Sequence, residues 1–446
     1  MTKQLCPIPV GSQLKPIHGS GAPGLVELLR TVADRKGATR RNRERFGDIA
    51  FHNLMGRKCV LPLTPETAEP AIINRSKAFA NAPAWEYLIG MVFKRGLLLM
   101  DFDDHRHQRL IFQQAFTSDS LKGYLREMQP VLRNALEQFP TGNVRLAEEF
   151  KAINLDTALS VFVGVDLSRA DADRINGAFL DCLRGPTAMV RYPIPGGAVR
   201  RAARGREVLV EFFAGLLPEK RRHESNDLFS ILCRARSDEG GRFSDDQIID
   251  HMIFLLFAAH DTSTSALSTM AYYMAKHPQW QQRARVQSLQ LPADLTFDHL
   301  KEMSCLDLIL KESLRLNAPV PVLAREAIED TELAGYFVPK GTLVFVSPEA
   351  VHENPNVWHQ PLAFDPERFT PERAEDKSHR FAWFPFGGGV HKCIGLYFAQ
   401  MEIKSVMHNS LRRYQWSIAE DYVWKIDRRT LGDPVGGLPA VVRPIG

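Results

Sequence analysis

The 446-residue sequence has no paired cysteines and no long apolar run. Its six cysteines, Cys6, Cys59, Cys182, Cys233, Cys305 and Cys393, are scattered, with no C-x-x-C pair among them. A disulfide scaffold is foreign to so large a chain, and a structural zinc site would need close ligand pairs that are missing. The longest apolar stretch, Met252 to Ala259, is far too short to cross a bilayer. The first twenty residues are polar and lack the apolar core of a secretory signal. The expectation is therefore a cytoplasmic protein with no transmembrane anchor. Charge of one sign is also scarce. Lysine and arginine number 56 against 52 aspartates and glutamates, a net of +4. That is little for a dedicated nucleic-acid binder, so nucleic acid is not an expected partner. With 44% apolar and 24% charged residues, the chain is neither disordered nor fibrous, and it is long enough to bury a large core.

What is present is mostly helical in pattern, with a few strand islands at about 48–63, 325–347 and 416–443. No linker or internal repeat divides the chain. The expectation is one α-rich domain over 1–446, with a small β part gathered into one sheet from those distant segments. One helix stands out. Ser244 followed by Gln247 forms a capping box, Asp245 and Asp246 suit a helix N-terminus, and no breaker follows until His277-Pro278. Its middle, Met252 to Ala259, is apolar all round and should be buried. The sequence then turns abruptly to His260-Asp261-Thr262-Ser263-Thr264. Polar groups inside a core helix are costly unless partnered, which marks this point as functional.

The second marked place is Phe384-Pro385-Phe386-Gly387-Gly388-Gly389-Val390-His391-Lys392-Cys393-Ile394-Gly395. Three consecutive glycines require a tight turn or a close approach. A helical pattern follows Gly395, so Cys393 lies just before a helix N-terminus, where the dipole favours a thiolate. Three readings are open on the loop alone. Cys393 is a buried structural cysteine, the nucleophile of a hydrolase with His391 as base, or a thiolate ligand to haem iron.

Phe386, Gly389, His391, Cys393 and Gly395 match the F-x-x-G-x-[R/H]-x-C-x-G loop that the chain shares with the cytochrome P450 family, which it resembles along essentially its whole length. Three further stretches carry the resemblance in the right order. Glu312-Ser313-Leu314-Arg315 resembles the family's E-x-x-R helix. Phe364-Asp365-Pro366-Glu367-Arg368-Phe369 resembles the segment whose arginine completes that network. Ala258-Ala259-His260-Asp261-Thr262 resembles the A-G-x-D/E-T element, with Ala259 where glycine is commoner.

The resemblance implies a triangular, mainly α fold with a small β part, one haem b with Cys393 as its iron ligand, and monooxygenation. It implies that Asp261 and Thr262 handle protons for oxygen activation. The Thr262 hydroxyl can bond the carbonyl four residues back, and the neighbouring carboxylate can relay protons. Glu312, Arg315 and Arg368 become a structural network behind the cysteine loop. His105, Arg109, Arg325 and His391 become partners of the haem propionates. Substrate-lining stretches map to Phe79 to Met100, Tyr192 to Gly197, Phe254 to Ala258, Val320 to Leu323 and Gly432 to Leu438. These are largely apolar, which favours an apolar, lipid-like substrate such as a sterol, terpenoid, retinoid or fatty acid. Electrons would come from a separate ferredoxin and ferredoxin reductase using NAD(P)H, with Lys392, Lys404, Arg412 and Arg413 as a basic docking face on a monomer. Peroxide-driven oxidation or rearrangement on the same fold, and a non-enzymatic haem binder, are the alternatives. Retention of Asp261 and Thr262 argues against both.

Overall fold

The computed structural model describes residues 2–445 except 55, 166, 187, 189–191, 238–239 and 427–433. Its strands are β1 (Thr2–Gln4), β2 (His18–Ser20), β3 (Ile49–Leu54), β4 (Arg57–Pro62), β5 (Phe79–Ala80), β6 (Gly142–Arg145), β7 (Leu323–Ala327), β8 (Thr331–Leu333), β9 (Tyr336–Val338), β10 (Leu343–Val346), β11 (Tyr414–Ser417) and β12 (Pro439–Pro444). The rest is predominantly helix. None of the described helices is long and apolar enough to cross a membrane. The chain forms two compact units, one of residues 1–88, 98–102 and 314–393, the other of 89–97, 103–313 and 394–446.

The first unit is built on a seven-stranded sheet of order β1-β2-β3-β4-β10-β7-β5, with a separate hairpin of β8 and β9. β3 and β4 form an antiparallel pair turning at Gly56, whose φ of 83° glycine adopts without strain. β10 then runs parallel to β4, with Leu343 opposite Cys59 and Val344 opposite Val60. Helix Pro65–Ile73 follows β4. Thr64 and Thr67 cap it reciprocally, and Pro65 occupies its first turn. Ile49, Phe51, Val60, Ala68, Ile72, Phe79, Val344, Val346, Phe381 and Phe384 close one core.

The second unit carries the long helices. The central helix runs Asp245–Lys276, 32 residues or about 48 Å. Ser244 and Gln247 form the anticipated capping box, and the helix ends at His277. Its neighbour Leu146–Ala158 is tied to it by Asn154 Nδ2 donating to Thr264 Oγ1 at 2.9 Å, a bond buried on both sides. The helix after the cysteine loop spans Leu396–Arg413.

Two expectations are corrected here. The tail strands do not join the sheet that holds 325–347. β11 and β12 pair with β6 in a three-stranded sheet of the second unit, so among the described residues the small β part is three sheets rather than one. The 416–443 stretch includes residues 427–433, and the substrate-lining assignment at Gly432 falls there, outside the described residues. The central helix is also not buried all round. Met252 to Phe257 are buried, but Ala258 is exposed and Ala259 and Thr262 are half-buried.

Candidate haem-thiolate site

In the first unit the cysteine loop is shaped by its glycines. Gly387 and Gly389 have φ of 66° and 61°, the left-handed region that disfavours other residues. A Cβ at Gly388 would lie 2.6 Å from the Phe381 ring, and one at Gly389 would lie 2.4 Å from the Ile72 carbonyl oxygen. These two glycines are thus fixed by packing on helix Pro65–Ile73 and Phe381. Gly395 differs. Its φ is −85°, and nothing lies within 4 Å of where a Cβ would be. Neither backbone nor protein neighbours demand glycine there, which suits a site where a flat group passes close to the chain. The Cys393 N–H donates to the Phe386 carbonyl at 2.9 Å, closing the loop.

Cys393 is the one exposed cysteine among the described residues. Burial pushes the Cys182 thiol up to about 12 and those of Cys233 and Cys305 up to about 11. It pushes Cys59 and Cys6 up as well. These five are poor thiolates.

Behind the loop, Arg315 and Arg368 are fully buried. Arg315 donates to the carbonyls of His352 at 2.6 Å, Pro361 at 2.7 Å and Ala363 at 3.1 Å. Arg368 donates to the carbonyls of His359 at 2.8 Å and Ala363 at 3.3 Å, and to the Glu375 carboxylate at 2.8 Å. Both guanidinium groups lie over the Trp358 ring, at 5.1 and 5.9 Å. Glu312 is equally buried, one turn before Arg315 on helix Ser304–Leu316. The sequence reading missed His352 and Glu375. His352 Nε2 accepts the Phe384 N–H at 3.1 Å, so Nδ1 carries the hydrogen and donates to the Arg315 carbonyl at 3.2 Å. A neutral ring thereby joins the arginine helix to the start of the cysteine loop. Burial, helped by the Arg315 charge, pulls its pKa down to about 3.

The propionate candidates fall in both units. In the first, Arg325 is 4% exposed and donates to the Ala324 carbonyl at 2.9 Å; burial pulls its pKa down to about 10 while Asp101 opposes that shift. His391 Nε2 lies 3.7 Å from Asp101 Oδ1. In the second, His105 is buried and Arg109 half-buried, one turn apart on helix Phe102–Gln113. Arg106 and His107 between them are exposed.

The central helix carries the titratable cluster of the second unit. Thr262 Oγ1 donates to the Ala258 carbonyl at 2.8 Å, as the sequence suggested, and the helix continues unbroken through it. Asp261 is 3% exposed. Burial pushes its carboxyl up, but His260 and Lys151 outweigh burial and hold it below the ordinary carboxylate range. Lys151 Nζ lies 3.6 Å from Oδ1. His260 Nε2 faces the Lys151 carbonyl at 3.2 Å, an acceptor only, so Nε2 carries a hydrogen. His260 Nδ1 lies 3.0 Å from Asp261 Oδ1. On the neighbouring position, Ser263 Oγ donates at 2.7 Å to Glu402, a buried carboxyl whose pKa burial pushes up to about 7. In the turn before Ala258 the packing is aromatic. Phe93 lies tilted against Phe257 at 4.4 Å and meets Phe254 edge-on at 5.8 Å, and a Cβ on Gly96 would strike the Phe254 ring at 2.5 Å.

The basic docking face is not as expected. Lys404 is buried, bonded to the Asp307 carboxylate at 2.9 Å and to the Leu300 carbonyl. Arg412 is spent on the Ser288 and Leu291 carbonyls at 2.7 and 2.6 Å. Carbonyl-capping roles at a helix end are invisible in a charge pattern. Lys392 remains exposed.

Residues 23–436 match the family model described as Cytochrome P450. The chain is 40% identical to a putative cytochrome P450 136 of Mycobacterium tuberculosis, covering 99% of this chain and 91% of that protein. It is 28% identical to a sterol 14alpha-demethylase of Mycolicibacterium vanbaalenii, covering 90% and 91%. Among solved structures, a retinoic acid-bound cyanobacterial CYP120A1 superposes with a TM-score of 0.87 at 26% identity, covering 97% of this chain and 100% of that one.

Proposed function

This chain belongs to the cytochrome P450 family and is a monooxygenase; from that premise we propose that it binds haem b through Cys393 and inserts one atom of O2 into an apolar, lipid-like small molecule. The lipid-like class rests on the apolar make-up of the stretches assigned to substrate lining, where Phe93, Phe254 and Phe257 pack against one another. It is supported by a relative named for sterol demethylation and a structural neighbour holding retinoic acid. We read 1–446 as one haem domain acting as a cytoplasmic monomer, supplied with electrons by a separate ferredoxin and its NAD(P)H-dependent reductase.

The residues fit the group. Cys393 is exposed just before a helix, a Cβ on Gly395 would meet nothing within 4 Å, and Arg325 and His391 offer nitrogen donors for carboxylates in the first unit. When bound, a thiolate-held haem supplies O2 binding and O–O cleavage, which electron donation from sulfur favours. The chain's own groups do the rest. Arg315, Arg368 and His352 hold the backbone leading into the loop. In the first unit, Arg325 and His391 would hold propionate carboxylates. Asp261, paired with His260, is the carboxylate assigned to proton relay, and the Thr262 hydroxyl, half-buried next to exposed Ala258, is the group assigned to present a proton at Oγ1.

The observation that carries this reading is the singular state of Cys393 against five cysteines whose thiols are pushed up by burial. The test is the absorption spectrum of purified protein reduced with dithionite under carbon monoxide. The strongly red-shifted Soret band of a thiolate-bound ferrous carbonyl is expected. A band at the histidine-ligated position, or no haem band after haem-supplemented expression, would overturn it. Sterols, terpenoids, retinoids and fatty acids should then be screened for spin-state shifts, and turnover compared with a ferredoxin system and with peroxide alone. Turnover with peroxide only would replace the monooxygenase cycle proposed here by a peroxygenase one.

A further inference from the structure

Asp101 belongs to none of the motifs read from the sequence, yet its carboxylate joins three distant stretches of the first unit. One oxygen accepts the Asn81 N–H at 2.7 Å and the other the Ala82 N–H at 2.8 Å, where helix Ala82–Ile89 begins. Oδ1 also lies 3.7 Å from His391 Nε2, in the cysteine loop. Arg325 is the further charged group that interacts with it. A carboxylate has lone pairs enough for all of these partners.

Three details indicate that the link is built rather than incidental. Asparagine ordinarily caps its own helix. Here the Asn81 side chain is buried with neither polar atom hydrogen-bonded, and a carboxylate twenty positions further along the chain takes the capping role. Phe102, the next residue, has φ of 49°, an unfavourable conformation for a bulky side chain. Such strain persists only where surrounding contacts over-determine the backbone. The carboxylate side chain is 13% exposed. Burial pushes its pKa up, but His391 and the two amides outweigh burial and hold it below the ordinary range.

We propose that Asp101 is a positioning residue that couples helix Ala82–Ile89 to the cysteine loop, by fixing the first turn of that helix and the imidazole of His391 with a single carboxylate. The helix lies within the stretch assigned to substrate lining, and His391 stands two residues before the thiolate. A shift of the helix is therefore felt at the loop, and a shift of the loop at the helix, as linkage requires. The inference rests on Cys393 being the haem ligand; without that, Asp101 is a helix cap and nothing more.

The test uses haem-loaded full-length protein and two variants, Asp101→Asn and His391→Ala. Amide hydrogen exchange at Asn81 and Ala82 is read together with the reduction potential. Asp101→Asn should speed exchange of both amides about fivefold, the worth of a lost cap, and should raise the potential by removing an anion beside His391. His391→Ala touches neither amide, yet should also speed their exchange. If His391→Ala leaves Asn81 and Ala82 unchanged, or Asp101→Asn leaves the potential unchanged, the coupling is refuted. Asp101→Glu, which keeps the charge, should restore the potential even where the longer side chain caps poorly; a potential that stays at the Asp101→Asn value would also count against the proposal. The carbon monoxide spectrum of the unmodified protein reports separately on the haem assignment.

Discussion

The cysteine loop and the central helix use buried polar side chains for opposite ends. Around the loop, Arg315, Arg368 and His352 are wholly buried and spend their hydrogen bonds mainly on backbone carbonyls and one backbone amide. Their protons have fixed addresses, and the result is a rigid backbone. On the central helix, His260, Asp261, Ser263 and Glu402 are as deeply buried, but they bond mostly side chain to side chain. Asp261 is held ionised and Glu402 titrates near neutrality. The lesson is that burial alone does not distinguish scaffold from chemistry. What distinguishes them is whether the partner can give or take a proton.

The contrast can be broken or sharpened by substitution. The largest effect should come from Cys393→Ser, which removes the thiolate donor and should reduce monooxygenase turnover to background, measured as product per haem. Asp261→Asn should slow turnover by roughly 100-fold, as loss of a positioned proton carrier does, with a larger solvent isotope effect; an unchanged isotope effect would remove Asp261 from proton delivery. Arg368→Ala should leave the buried carbonyls of His359 and Ala363 without their donor and lower stability by about 1–3 kcal/mol, read by denaturant unfolding, with no new isotope effect. Thr262→Ala should keep oxygen consumption while product per electron pair falls severalfold, at the lower end of general acid–base contributions.

The smallest effects should appear in the pH dependence of stability. Burial pulls His352 and His251 down to about 3 and His408 down to about 4, from an ordinary 6.5. The unfolded chain therefore binds protons below pH 6.5 that the folded chain refuses. Stability from these rings is present above that pH and is lost as pH falls toward 3. Glu402 works the other way. Its folded pKa of about 7 stands above the ordinary 4.5, so the folded state keeps a proton that the unfolded state releases, and stability declines as pH rises from 4.5 through 7. Glu402→Gln should flatten that upper limb, and His352→Gln the lower one, in melting temperatures measured from pH 4 to 8.

Local devices were legible in the sequence. The capping box at Ser244 and Gln247, the Thr262-to-Ala258 bond and the helix start after Gly395 all follow from neighbours within four residues. Long-range partners were not. Nothing near β12 announces that it pairs with β6 across almost 300 residues, so one sheet was expected where three exist. His352 and Asp101 carry no motif, because what they bind is mostly backbone, which looks alike everywhere, and Glu375 meets Arg368 only through the fold. The backbone carbonyls that engage Lys404 and Arg412 were hidden for the same reason.

The parallel pairing of β4 with β10 sets an order of events during synthesis. Cys59 meets Leu343 in that ladder, so one strand leaves the ribosome roughly 280 residues before the other. At about 5–20 residues per second, β4 waits roughly 15–60 s with one edge unpaired. Much of the second unit emerges in that interval. The nascent chain must therefore shield a half-made sheet while helices form downstream, and slow codons or an occupied chaperone between residues 63 and 342 should influence yield more than the same delays placed after residue 346.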